Sequence, residues 1–270
     1  MQKKGLLLLT ISMFIVSTLF VWLTGLLKTN SKYIAIPPKK EVVYSIALLA
    51  DSHLDYQLLQ KALVEVEKLN VDKVLHLGDL SDYGGLSNLK KSRTLLDNSG
   101  LDYLVIPGDR DIIKNGLEVK LEDSPFMEVF SDKLCTSQLV ADYKIICFSN
   151  PYNYLKVSDF DLADFSTNIS NSDVVISSQP IFNSISDQYM GIYDGGVLEQ
   201  GLFVKSLLEN SNVKMAISAD THFQNHYESN NINYYTIGAI TEQRNIQRPS
   251  FSLLYYYTDN SYSVTQFEIE

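Results

Sequence analysis

Five short polar clusters in this 270-residue chain hold side chains able to bind cations or move protons. They are Asp51-Ser52-His53, Gly78-Asp79-Leu80-Ser81-Asp82, Gly108-Asp109-Arg110-Asp111, Ser178-Gln179-Pro180 and Asp220-Thr221-His222. Carboxylates and imidazoles gathered in one place are too costly as bare buried charge, and a divalent cation is the usual resolution. Asp51 and His53 are one residue apart, so on an extended segment their side chains share a side, as a chelating pair requires. Gly78 lets the backbone turn sharply and presents Asp79 at a strand tip.

Each cluster follows a mostly apolar run: 42–50, 73–77, 103–106, 174–177 and 214–218. Helical patterns at 58–70 and 86–98 separate the first three runs. Strand, helix, strand, helix, strand implies parallel pairing with right-handed crossovers, and in such a sheet functional groups gather past the carboxyl ends of strands. The second half reads as a hairpin over 133–149 turning near Ala141-Asp142, then a polar stretch from about Ser149 to Asn171 that reads as a solvated loop. A strand at 174–177, a helix at about 196–210 and a strand at 214–218 follow, with antiparallel strands at 234–237, 251–257 and 261–267. The expected architecture is α/β, with two mixed sheets packed together and helices outside. The roughly 230 residues after the first forty suit one core, and no repeat or second linker divides them.

The string Asp51-x-His53, then Gly78-Asp79-x-x-Asp82, then Gly108-Asp109-Arg110-Asp111 resembles, in its order and its near-even spacing, the signature of the calcineurin-like metallophosphoesterase superfamily. That signature reads DxH, GDxxD, then GNH followed by D or E, at intervals of similar length. Ser178 before Pro180, and Ala219-Asp220-Thr221-His222, resemble its later motifs, a His two residues before a Pro and GHxH. The resemblance implies a four-layer α-β-β-α sandwich and a centre for divalent cations. Asp51, His53 and His222 match the private ligands of the first cation, expected to be Mn or Fe, and Asp79 matches the bridging carboxylate.

Three departures concern the second cation and the phosphate. Asp109 stands where the family has Asn, Ser178 where it has a ligand His, and Asp220 where it has the first His of GHxH. The second position then reads either as an oxygen-rich site for Mn, Mg or Ca, filled by Asp109 and Asp220, or as an empty one. Arg110 replaces the His of GNH. It can clamp a phosphate bidentately but, protonated near neutral pH, can hardly act as a general acid. Blander readings are expected elsewhere: Asp82 and Asp111 as loop or helix-capping residues, His76 as a core histidine and His226 as a surface one. Asn168-Ile169-Ser170 also fits a glycosylation sequon.

Charge narrows the partners. Segment 1–40 holds six of the 22 basic side chains and none of the 32 acidic ones, which leaves 16 basic against 32 acidic side chains in 41–270. So acidic a domain repels a phosphate backbone, which disfavours nucleic acid and a nuclease reading. A small phosphorylated substrate remains compatible if cations invert the local field. The uncharged segment 5–27 is long enough to span a bilayer, which assigns 1–28 as a retained membrane anchor, 29–41 as a linker and 42–270 as the metallophosphoesterase-like domain. Lysines lie on both sides of the segment, and an exported arrangement puts the domain outside the cytoplasm. Cys135 and Cys147 are expected as two buried thiols, with a bridge as the alternative. The functional expectation is a membrane-anchored, metal-dependent phosphoesterase. A domain that has lost catalysis and serves as a binding or scaffold module is the alternative, favoured by Arg110, Ser178 and Asp220.

Overall fold

The computed structural model describes residues 40–136 and 143–270. Glu41–Glu270 gather into one compact unit. The apolar segment 5–27 and the turn at Ala141-Asp142 lie outside the described residues, among which no helix is long and apolar enough to cross a membrane.

The first half alternates as its periodicity predicts: β1 (Val42–Leu49), α1 (Tyr56–Lys68), β2 (Lys73–His76), α2 (Leu86–Asn98), β3 (Tyr103–Val105), with β1–β2 and β2–β3 parallel. Asp55 caps α1 by accepting from Leu58 N at 3.2 Å, and Leu59, Ala62, Leu63 and Val66 form its buried stripe. A small hairpin, β4 (Ile113–Lys114) with β5 (Leu117–Glu118), and a short helix α3 (Pro125–Phe130) follow, neither read from the sequence.

The second half runs β6 (Ile145–Phe148), α4 (Asp159–Asn168), β7 (Val174–Ser177), α5 (Gly195–Glu209), β8 (Met215–Ser218), β9 (Asn225–Ser229), β10 (Ile232–Thr236), β11 (Ser250–Tyr257) and β12 (Tyr262–Glu268). Two five-stranded mixed sheets result, ordered β12-β11-β1-β2-β3 and β6-β7-β8-β10-β9. One apolar cluster joins inward residues of both sheets, among them Leu48, Leu75, Ile176 and Ile217. A second joins Ala47 and Leu49 of β1 to α1, α2 and α3, and a third joins Ile146 and Val175 to α4 and α5. Alternate residues of β1 therefore enter different clusters, as the period of two demands.

Three expectations need correction. The last strands do not form one antiparallel set: β10 pairs parallel with β8 and antiparallel with the unforeseen β9, while β11 and β12 extend the other sheet beside β1. The stretch 149–171 is not simply a loop, because Ser158 accepts from Asp161 N at 3.1 Å and starts α4, with Phe165 buried beneath it. The cysteines are bridged rather than free, at a Cα–Cα distance of 5.8 Å that suits a disulfide. Leu134 forms a parallel bridge with Val105 and so continues the edge of the first sheet, whereas Cys147 lies on β6, the edge of the second. The bridge thus ties sheet to sheet.

Closing a loop across 12 residues constrains the unfolded chain by about 3 kcal/mol in the loop-entropy account. The double variant Cys135→Ser/Cys147→Ser is expected to unfold roughly 6–12 °C lower, readable by calorimetry against the oxidised wild type. Equal midpoints would mean that the sheets need no tether.

Candidate metal centre

Backbone ladders carry the polar clusters past the strand ends and bring them together. Asp51 N–H donates to Gly78 O at 3.1 Å, His53 N–H to Asp79 O at 2.7 Å, and Thr241 N–H to Asp51 O at 3.1 Å. From the second sheet, Asp220 N–H donates to Asp51 Oδ2 at 3.2 Å, which joins the carboxyl ends of β1 and β8. Two glycines allow this crowding. A Cβ on Gly78 would stand 2.5 Å from Gly108 N, and one on Gly108 would stand 2.1 Å from Asp79 Oδ1.

The backbone at the candidate ligands is uncommon. Asp51, His53, Asp79, Asp220 and His222 all hold φ between +46° and +71°. Left-handed backbone costs an L residue about 1–2 kcal/mol. Five such residues at one place are a concentration of strain of the kind found at functional sites.

The side chains form two groups that share one carboxylate. His53, Asp79 and His222 each offer a ligand atom within 4.8 Å of the others, and so do Asp79, Asp109 and Asp220. Asp51 belongs to neither group, although its buried carboxylate touches Asp220 through the backbone bond above. His53 and His222 approach through Nε2 at 2.9 Å. His222 Nδ1–H donates to Gln243 O at 2.8 Å. His53 Nδ1 lies 2.8 Å from Asp82 Oδ1, too bent for a regular hydrogen bond but oriented by the carboxylate. Burial, with His222 next, pushes the His53 pKa down to about 4, and burial also lowers that of His222. Both imidazoles are then neutral near pH 7, and their Nε2 atoms meet at hydrogen-bond distance, so at least one of them keeps its lone pair toward the other. A cation held by both nitrogens would take the place of that contact, and an outer carboxylate or carbonyl beside the far nitrogen is the usual companion of a ligand histidine. The residues fit a divalent metal.

The acids make the same demand. Burial first, then neighbouring carboxylates, raises Asp79 and Asp51 well above the ordinary carboxylate range, and Asp220 to about 7. In the metal-free protein these groups hold protons that the unfolded chain gives up near pH 4. Through these acids the folded state binds more protons between about 4 and 7, whereas the lowered His53, His76 and His222 bind fewer than in the unfolded chain below about 6.5, so the fall in stability with rising pH stands clear only above that point. Thermal midpoints in chelator are expected to drop from about pH 6.5 to pH 7.5, and Mn is expected to remove that slope. A slope unchanged by Mn would mean that the carboxylates do not receive the ion.

Other predicted residues fall into place around this centre. Arg110, about a third exposed, donates its backbone N–H to Asp79 Oδ1 at 3.1 Å and holds Nε 3.4 Å from Asp109 Oδ1. Ser178 is buried and donates to Asn150 Oδ1 at 3.1 Å, so it is tied to its neighbour rather than aimed at Asp79. Neither Asp82 nor Asp111 caps a helix: α2 takes Gly85 as its N-cap, with no side-chain cap. Asp111 instead accepts from Leu80 N, Ser81 N, Ser81 Oγ and Gly108 N between 2.9 and 3.2 Å, locking two ligand loops together. His76 is a core residue, with Ser52 Oγ at 3.2 Å, and His226 is exposed against Tyr235. In the sequon, Asn168 turns its amide back onto Asp164 within α4.

Sequence reasoning missed the residues that steady the second group. Asn153 donates to Asp109 Oδ2 at 2.7 Å, and Gln188 to Asp220 Oδ2 at 3.2 Å. Glu118 in turn holds the backbone of Asn153, Tyr154 and Leu155. Asn153 and Gln188 lie in loops and Glu118 ends the two-residue β5, where neither period nor motif marks them.

A family model described as calcineurin-like phosphoesterase matches residues 44–224. Among solved structures, the chain resembles a dimetal phosphatase from Danio rerio, with TM-score 0.55 and 13% identity over 85% of this chain and 100% of that one. It also resembles a Thermus thermophilus protein, with TM-score 0.56 and 11% identity over 85% and 100%. A third likeness is to GAP50, the anchor in the inner membrane complex of Plasmodium, with TM-score 0.52 and 14% identity over 85% and 90%. At these identities the likeness is one of fold. No curated protein sequence matches the chain significantly.

Proposed function

The chain belongs to the calcineurin-like phosphoesterase family, and from that premise we propose that it is a metal-dependent phosphoesterase acting on a small phosphorylated substrate. The observation that carries this reading is the pair of facing Nε2 atoms beside a carboxylate common to two ligand groups. His53, His222, Asp51 and Asp79 would hold the first cation, Mn or Fe by resemblance. Asp79, Asp109 and Asp220 would hold the second, an all-oxygen set suited to Mn, Mg or Ca. When bound, such cations neutralise phosphoryl charge and activate water for in-line attack.

The chain's own residues do the rest. Arg110 places a permanent charge beside Asp109 and Asp79, and these acids hold its guanidinium protonated, so it binds a phosphoryl oxygen and gives no proton to the leaving group. Asp82 and Gln243 fix the imidazoles, and Asn153 and Gln188 fix the carboxylates of the second set. The binding or scaffold alternative draws on Arg110, Ser178 and Asp220, but such a module does not call for two neutral imidazoles and two further acids gathered around Asp79.

The reading includes a membrane anchor at 5–27 and a domain outside the cytoplasm, supported by the uncharged run and by a disulfide that persists in oxidising compartments. Hydrolysis of an aryl phosphate in Mn, lost on chelation and regained on Mn addition, tests the function. Equal rates with and without chelator would count against it.

A further inference from the structure

Tyr83, Leu117, Tyr154 and Tyr193 are large, mostly apolar side chains, yet they stand between 60% and 72% exposed. They sit on segments that the centre already uses, and those segments touch one after another. Tyr83 follows Asp82, whose carboxylate faces His53. Gly84 packs so closely on β4 that a Cβ there would stand 2.0 Å from Ile113 O, and β4 pairs with β5, which carries Leu117. Glu118 of β5 accepts the backbone N–H of Tyr154 at 2.8 Å and of Leu155 at 2.9 Å. Tyr154 and Tyr193 then meet, with ring centroids 6.3 Å apart and planes inclined by 36°. Both tyrosines are a short step from the second ligand group. Asn153, next to Tyr154 in the chain and so about 3.8 Å away between Cα atoms, donates to Asp109 Oδ2 at 2.7 Å. Gln188, on the loop of Tyr193, donates to Asp220 Oδ2 at 3.2 Å. That loop is fastened: Met190 N–H donates to Pro180 O at 2.7 Å, and Asp194 accepts from Gly196 N at 2.8 Å and Val197 N at 3.1 Å as the cap of α5.

We propose that Tyr154 and Tyr193, flanked by Tyr83 and Leu117, form an apolar platform for the alcohol side of the substrate, so that the substrate is a phosphoester of an alcohol carrying an aromatic ring or another bulky apolar group. This rests on the phosphoesterase reading, which sets the phosphoryl group against the acids and imidazoles and leaves the alcohol to project past them. Exposed apolar side chains scattered singly need no explanation, but four on adjoining segments beside a charged centre mark a binding surface. A polar alcohol gains nothing there, whereas a ring laid on the platform removes apolar surface of both partners from water. Tyrosine suits the task, since its ring is rigid and apolar while its hydroxyl stays in water when the platform is empty, and two rings pair offset or edge to face.

The test measures binding of methylphosphonate, phenylphosphonate and 1-naphthylphosphonate, which cannot be hydrolysed at phosphorus, to the Mn-loaded full chain in lipid nanodiscs by calorimetry. The wild type is expected to bind 1-naphthylphosphonate about 30-fold more tightly than methylphosphonate, with phenylphosphonate between them. In Tyr154→Ala/Tyr193→Ala that preference should fall below about threefold, while methylphosphonate affinity stays within about twofold and so shows the centre intact. Phe160→Ala, which removes an exposed ring on α4 away from these loops, should leave the preference unchanged. Equal affinities for the three probes in the wild type, or an unchanged preference in the double variant, overturn the platform. A double variant that alters the oligomeric state by light scattering and not the preference also overturns it, and assigns the pair to a contact between copies of the chain. If methylphosphonate itself does not bind the wild type, the phosphoesterase reading fails and the platform falls with it. Methylphosphonate binding without a preference sinks the platform alone.

Discussion

Asp79→Asn is expected to lower Mn-dependent turnover of an aryl phosphate by about 1,000-fold, equivalent to about 4 kcal/mol of transition-state stabilisation. Among the described residues Asp79 alone belongs to both ligand groups, so its carboxylate is the one side chain whose loss touches two cations at once. Asparagine keeps the size and the oxygen that accepts Arg110 N–H, but not the negative charge. The metal-free variant should unfold no lower than the metal-free wild type, because a buried carboxyl pushed far above its ordinary range by burial and four other acids is a liability without an ion. Turnover lost with folding intact separates a chemical role from a structural one. Turnover within about tenfold of wild type would remove the shared carboxylate from the account.

The second large effect concerns the leaving group. General acid catalysis contributes about 100- to 10,000-fold where a leaving alkoxide needs a proton, and a guanidinium held protonated by neighbouring Asp109 and Asp79 does not supply one. Alkyl phosphates are therefore expected to turn over at least about 100-fold more slowly than aryl phosphates, with kcat falling steeply as leaving-group pKa rises. Arg110→His should narrow that gap by about tenfold while weakening phosphate binding, since it exchanges a permanent clamp for a titratable group. Measuring kcat and KM across a series of leaving groups separates the two effects. A flat series in the wild type would show that some other group protonates the product.

How much of this is legible in the sequence depends on whether the signal is local. Alternation of apolar runs and helical stripes locates β1, α1, β2, α2 and β3, because burial on one face imposes a period. Asp51, His53, Asp79, Asp109, Arg110, Asp220 and His222 can be named from sequence because parallel strands deliver their carboxyl ends to one edge, and the two glycines of the motifs mark where two loops touch. Strand partnership is less accessible. Nothing local in 232–236 or 250–257 says that the first joins β8 and the second joins β1, since both read only as apolar strands rich in tyrosine. The same holds for Cys135 and Cys147, whose spacing looks like a hairpin while the bridge joins the edges of two sheets.

The outer residues of the centre are the least visible. Asn153, Gln188 and Gln243 sit in irregular segments and act through backbone atoms or single hydrogen bonds, so residue type gives no hint of direction. For Asp82 and Asp111 the sequence points to loop support or helix capping, and the structure shows no capping by either. In sequence an acid before a helix reads as a cap. In the fold one faces His53 and the other binds two loops together.

The measurement that bears most directly on the central claim is bound metal per chain, by elemental analysis after equilibration with Mn and removal of free ion, for the wild type and for His53→Ala/His222→Ala. The account predicts close to two ions per wild-type chain and at most one in the variant, because facing Nε2 atoms hold the first ion and the acids around Asp79 hold the second. A wild-type chain that retains no metal, or a variant that retains as much as the wild type, would contradict it.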